Sequence, residues 1–139
     1  MNVSPARHPQ DPGIVETVLS CLPDVLGIYR YGSAGSEFER ADSDLDIAVL
    51  AEHKLGFEEC LNLATQLSRL VGRDVDIVDM RTIPVTLRVQ IAASAARLYA
   101  SDVSRTGEFE SRAFSDYARL NEERRAILDD VRRRGRIYG

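Results

Sequence analysis

Two short runs rich in β-branched, aromatic and aliphatic residues, Val25 to Tyr31 and Asp44 to Leu50, stand only twelve residues apart. This spacing constrains the fold more than any other feature of the chain. The first run reads as a strand that ends at Gly32-Ser33, the second as a strand that opens on Asp44-Leu45-Asp46. The interval from Gly32 to Ser43 leaves room for one or two helical turns and a loop. Residues i and i+2 of a strand share a face. Asp44 and Asp46 therefore point one way, while Leu45, Ile47 and Val49 point into the core.

Two carboxylates a few Å apart repel by roughly 4 kcal/mol at an effective dielectric near 20. A fold bears that where a cation sits between them or where solvent screens them well. Oxygen donors of this kind suit Mg²⁺, which binds through one or two carboxylates and the phosphates of its substrate. Gly32 lets a phosphate approach the backbone and Ser33 offers a hydroxyl. The N–H groups behind them open a short helix whose N-terminus favours anions. Either half of the pattern alone is common on turns and solvated strand ends. Together they make Gly32 and Ser33 candidates for holding a triphosphate, and Asp44 and Asp46 candidates for the metal ions that accompany it.

A third carboxylate is expected on a neighbouring strand, Val75 to Met80. Asp74, Asp76 and Asp79 are the candidates. Asp76 has the parity opposite to Val75 and Ile77, the pattern of Asp46 beside Leu45 and Ile47, and is chosen. Asp74, at the strand entrance, is the fallback. Asp79 has core parity and is expected to cap the helix that follows.

Elsewhere the elements follow from periodicity. Asp11-Pro12 reads as an N-cap and first helical residue, with Ile14, Val18 and Cys21 or Leu22 on one face up to Pro23. Phe57, Cys60/Leu61, Ala64, Leu67 and Val71 mark an amphipathic helix stopped by Gly72. Thr82 to Ser94 reads as a further helix and Arg97 to Ala100 as a short fourth strand. Phe109, Ala113, Tyr117, Leu120, Ile127 and Val131 recur at three- and four-residue steps, interrupted by Arg124. They predict a C-terminal helix over about 106–134, roughly 40 Å long at about 1.5 Å per residue and so longer than a small domain is wide. The order is α-β-(short α)-β-α-β-α-(β)-α, an α/β class in a single domain of residues 1–139, with residues 1–10 flexible.

Composition narrows the function classes. The net charge of −4 argues against a generic duplex nucleic-acid surface. Cys21 and Cys60 fall among apolar residues and read as structural thiols in a reducing compartment; His8 and His53 lack partners at zinc spacing. No apolar run approaches the ~20 residues of a membrane span, and the N-terminus lacks a signal peptide's apolar core. A cytoplasmic, soluble protein is expected. Arg132, Arg133, Arg134 and Arg136 read first as cations suited to a helix C-terminus and only second as an anionic partner's grip. Tyr29 and Tyr31 read as core tyrosines before base-stacking ones, and Glu52 is discounted as an assisting acid.

The arrangement Gly32-Ser33, ten residues, Asp44-Leu45-Asp46, with Asp76 on a later strand, resembles the signature of the DNA polymerase β-type nucleotidyltransferase superfamily. The small size places the chain with the minimal nucleotidyltransferases (MNT), the antitoxin half of HEPN–MNT toxin–antitoxin pairs. The ending Asp129 to Gly139 also resembles theirs. The segment Ala34-Gly35-Ser36-Glu37 departs from the basic residues that many relatives carry there. The resemblance implies the nucleotidyltransferase fold, a small mixed sheet flanked by helices with the long helix at its end. It also implies that Asp44 and Asp46 ligate two Mg²⁺ ions, and that Asp76 ligates the one nearer the attacking hydroxyl. Gly32 and Ser33 would hold the triphosphate of ATP. AMP would pass to a tyrosine of the cognate HEPN ribonuclease, with no direct nucleic-acid binding. The other readings are transfer to a small molecule such as an aminoglycoside, and a non-catalytic antitoxin whose long helix occludes the toxin.

Overall fold

The computed structural model describes residues 8–32 and 44–138. Its elements are α1 (Asp11–Cys21), β1 (Val25–Tyr31), β2 (Leu45–Ala51), α2 (Phe57–Val71), β3 (Val75–Asp79), α3 (Val85–Ser94), β4 (Ala96–Ala100) and α4 (Val103–Tyr138). The helical turn expected between Gly32 and Ser43 lies outside the described residues, as do residues 1–7.

The strands form one mixed sheet in the order β3-β2-β1-β4. β1 runs antiparallel to β2 and β4, whereas β2 and β3 are parallel and are joined by the crossover helix α2. The expected small mixed sheet with flanking helices and a long C-terminal helix is present.

Strand alternation divides the core into two layers. Leu45, Ile47 and Val49 of β2 face Ile14 and Val18 of α1 and Leu63 and Leu67 of α2. Ala48 and Leu50 face the other way, with Leu26, Tyr29, Met80 and Ile91, against α3 and the first turns of α4. Leu26 and Ile28 are two residues apart yet join opposite layers. A register shift between Val25 and Gly27 in the β1–β2 ladder produces that inversion.

Several element boundaries differ from the sequence expectation for local reasons. α3 starts at Val85 rather than Thr82 because Pro84 disfavours a helical residue before it. Asp79 to Pro84 make a turn instead, in which Thr82 and Ile83 donate their N–H groups to the Asp79 carbonyl at 3.0 and 3.3 Å. α4 begins at Val103, three residues early, because Asp102 accepts the N–H groups of Ser104 and Arg105 at 2.9 and 3.2 Å. The helix runs 36 residues, about 54 Å at 1.5 Å per residue. Its exposed apolar residues Ile127, Leu128 and Val131 lie well beyond the buried Ala113. Gly72 ends α2 with φ 74°, in the left-handed region where glycine is strain-free.

Asp11 is not the α1 cap; Gln10 holds that position. Asp11 is buried and pairs instead with buried Arg30 of β1, whose Nε and Nη2 donate to its two carboxylate oxygens at 3.2 and 3.3 Å. Cys21 and Cys60 are free and half-buried, at the margin of the core. No helix among the described residues is long and apolar enough to cross a membrane.

Candidate functional site

The sheet brings three side-chain positions into one row. Tyr31 near the end of β1 is the ladder partner of Asp46, and Asp46 is the ladder partner of Asp76. Asp46 shares strand parity with Ala48 and Leu50, so the row lies on the face that carries α3 and α4. Parallel pairing of β2 with β3 is what sets the two carboxylates side by side; an antiparallel neighbour of different register would not have done so. Asp44 precedes β2 and is exposed, and Asp74 stands before β3, where its carbonyl accepts the Leu45 N–H at 2.8 Å.

Gly32 closes the row. Its φ is 74°, and a Cβ built there would overlap Asp46 Oδ2 and lie 3.2 Å from Asp46 Cγ. Only glycine lets the chain turn at this point while the Asp46 carboxylate packs against its Cα. The glycine and the aspartate, fourteen residues apart, therefore form one constellation. Ser33 lies outside the described residues.

The negative charges of the row act on one another. Burial, then the charge of Asp76, then that of Asp44 push the Asp46 carboxyl above its usual range. The Tyr31 phenol is pushed up to about 12 by burial and by the negative charges of Asp46 and Asp76. Among the described residues no Lys, Arg or His pairs with Asp44, Asp46 or Asp76. Nor do three His, Cys, Asp or Glu side chains among them close on one point as a finished cation cage. The arrangement is an open edge of hard oxygen donors, suited to a divalent cation whose remaining ligands come from elsewhere.

Two further acids of the sequence reading fall at the opposite end of the sheet. Asp79 is buried, and its carboxylate accepts the N–H groups of Leu55 and Arg81, both at 2.9 Å. It fastens the turn ahead of α3 and the approach to α2, rather than capping α3 itself. Glu52 pairs with Arg105 of α4 at 2.8 Å.

One positioning network escaped the sequence reading. Tyr29 is buried and donates its phenol to Glu110 Oε2 at 3.1 Å, an oxygen that also accepts from Arg97 Nη1 at 3.2 Å. Burial and the Glu110 charge hold the Tyr29 phenol protonated, far above its usual pKa. This links β1, β4 and α4 two ladder positions from the Tyr31–Asp46–Asp76 row. The shared parity of Tyr29 and Tyr31 was the signal available in the sequence; the partner 81 residues away was not.

Residues 15–104 match the family described as polymerase beta, nucleotidyltransferase. The chain is 32% identical over 118 residues to the protein adenylyltransferase MntA of Shewanella oneidensis, covering 85% of this chain and 84% of that one. It is 34% identical over 87 residues to a spectinomycin 9-adenylyltransferase of Campylobacter jejuni, covering 63% of this chain and 33% of the relative. A toxin–antitoxin crystal structure with AMP-PNP superposes with a TM-score of 0.77 at 31% identity, covering 87% of this chain and 97% of the other. A tri-AMPylated Shewanella oneidensis HEPN toxin in complex with its MNT antitoxin gives 0.73 at 30%, covering 88% and 95%. With the Gly32–Asp46 constellation and the mixed sheet in place, these matches assign the fold and the lineage together. The chain belongs to the polymerase β-type nucleotidyltransferases, among the minimal nucleotidyltransferase antitoxins.

Proposed function

We propose that the protein transfers AMP from ATP to a tyrosine hydroxyl of a cognate HEPN toxin and so neutralises it. The observation that carries this reading is the ladder row Tyr31–Asp46–Asp76 closed by Gly32, an edge of adjacent carboxylates beside a bend that admits no side chain. The relatives support the acceptor class. One is a protein adenylyltransferase, and a neighbouring structure holds an AMPylated HEPN toxin. The spectinomycin-modifying relative shares only 33% of its length with this chain, so a small-molecule acceptor has the weaker analogy.

In the reaction the acceptor oxygen attacks the α-phosphorus of ATP. A new P–O bond to tyrosine forms, and the bond to the β-phosphate oxygen breaks to release pyrophosphate. Two Mg²⁺ ions, when bound, supply the positive charge that makes the acceptor hydroxyl acidic and neutralises the leaving pyrophosphate. Asp44 and Asp46 would hold that pair, and Asp76 the ion nearer the acceptor. The chemistry of the residues fits this role: hard oxygen donors, adjacent in the ladder, with no ion pair to a basic side chain among the described residues. Gly32 keeps Asp46 in place and, with Ser33, would face the phosphates. Asp76 is exposed at the edge of the row and is the carboxylate best placed to receive the acceptor proton. The Tyr31 phenol, pushed up to about 12, stays protonated and screens the buried side of Asp46.

The test is intact-mass analysis of the cognate toxin after co-expression with wild type or with the Asp44→Asn/Asp46→Asn variant. The reading expects additions of one or more AMP units with wild type and none with the variant. Neutralisation that survives the substitutions without added mass would replace it by neutralisation through binding alone.

A further inference from the structure

At the end of the sheet opposite the carboxylate row, a cavity of about 210 Å³ opens between the strand ends and the first turns of α4. Leu26 and Leu50 form its apolar floor, and three guanidinium groups, Arg81, Arg105 and Arg112, line it together with Glu108. Leu50 is four residues along β2 from Asp46, about 13 Å at roughly 3.3 Å per residue. The cavity is therefore separate from the candidate reaction site.

From these features we infer that this cavity is a second ligand site, one that takes a small phosphate anion. Arg81 is preorganised for such a ligand. Its Nε donates to the Ala51 carbonyl at 2.7 Å, and its Cζ lies 5.6 Å from the centre of the Phe109 ring. The guanidinium is thus fixed in direction before any ligand arrives. Arg112 is exposed and makes no ion pair among the described residues, so its full donor set is available. Arg105 is held at the rim by Glu52 at 2.8 Å, a half-exposed pair that an entering anion would compete with. Several arginines lining one cavity suit the multiple oxygens of a phosphate better than a single carboxylate. A nucleoside is disfavoured as the primary determinant, because Arg81 and Arg88 already cover the Phe109 ring, at 5.6 and 5.8 Å from its centre.

The experiment is calorimetric titration of the full chain with orthophosphate, pyrophosphate and AMP, with a chelator present and ionic strength held constant with chloride. Saturable binding is expected in wild type, weakened about tenfold by Arg112→Ala, which removes a charge-assisted phosphate contact. Glu52→Gln releases Arg105 and is expected to tighten binding several-fold. Asp46→Asn is expected to leave it unchanged. Equal affinity for orthophosphate and AMP would identify one phosphate as the determinant, and tighter pyrophosphate two; both support the site. The inference is overturned if no anion saturates, if Arg112→Ala binds as well as wild type, or if Asp46→Asn changes the affinity. Asp46→Asn thus separates this site from the proposed adenylyl transfer, since each can fail without the other.

Discussion

The two ends of the sheet treat acidic residues in opposite ways. At one end Asp46, Asp76 and Asp44 lie together without a basic partner among the described residues, and burial and the two neighbouring charges push the central carboxyl up. At the other end of the same strands four acids have partners. Asp79 takes two backbone N–H groups, Glu52 takes Arg105, and Asp24 and Glu59 share His53. Acids that serve the fold are placed where donors complete them, because a buried unpaired charge costs several kcal/mol. Acids left to repel one another are what the proposed reading assigns to a ligand site. The contrast turns a charge pattern into a functional assignment, and it can be broken residue by residue.

The largest effect is expected from Asp46→Asn or Asp76→Asn. Either should lower adenylyl transfer roughly a hundredfold or more if, as proposed, each supplies a charged ligand to the transition-state electrostatics. At the same time Asp46→Asn should raise the melting temperature of the ligand-free protein. A carboxyl whose folded pKa is raised contributes stability below its unfolded pKa and loses it as pH rises through the folded value. At neutral pH the ionised Asp46 is therefore a net burden, which asparagine relieves. A variant that is less active and also less stable would contradict the assignment.

Gly32→Ala sharpens the same point through the backbone. The added methyl overlaps the Asp46 carboxylate at a position with φ 74°. Transfer should fall on the order of tenfold to a hundredfold through displacement of Asp46. Cation affinity measured on the same variant should fall with it; an unchanged affinity would show that the glycine serves the turn alone.

At the opposite end the expected outcome reverses. Asp79→Ala should leave transfer per folded molecule intact but cost about 1–3 kcal/mol of stability for each backbone N–H left unpaired, those of Leu55 and Arg81. Chemical denaturation together with turnover normalised to folded protein separates the two. The smallest effect concerns His53, exposed at the surface and raised above its ordinary 6.5 first by its hydrogen bond to Asp24 and then by that to Glu59. Its stabilising contribution is complete below that ordinary value and fades as pH rises through the raised folded one. The melting-temperature gap between wild type and His53→Ala should therefore shrink on alkalinisation; a gap that grows would contradict the pairing.

Much of this contrast was legible in the sequence, for a specific reason. Alternation along Asp44 to Leu50 carries parity, which assigns Leu45, Ile47 and Val49 to the core and sets Asp76 apart from Asp79, while Asp74, of the same parity as Asp76, is set aside only by its place at the strand entrance. Parity also assigned Asp79 to the interior, though it could not show which N–H groups would meet it there. Interactions between elements were not legible. The Asp11–Arg30 pair joins residues 19 positions apart whose meeting depends on how α1 lies on the sheet. Overlap between Gly32 and Asp46 needed the β1–β2 register. Where local chemistry was misjudged, at the starts of α3 and α4, Pro84 and Asp102 had supplied the signal, but the helical stripe was weighted above it.

The account rests on the carboxylate row being a cation–nucleotide site, and ATP binding with and without Mg²⁺ tests that most directly. Calorimetry on wild type, Asp46→Asn and Asp79→Asn should show binding that Mg²⁺ strengthens in wild type and in Asp79→Asn, and that Mg²⁺ no longer strengthens in Asp46→Asn. Binding that is indifferent to Mg²⁺ in wild type, or equally strengthened by Mg²⁺ in Asp46→Asn, would contradict the account.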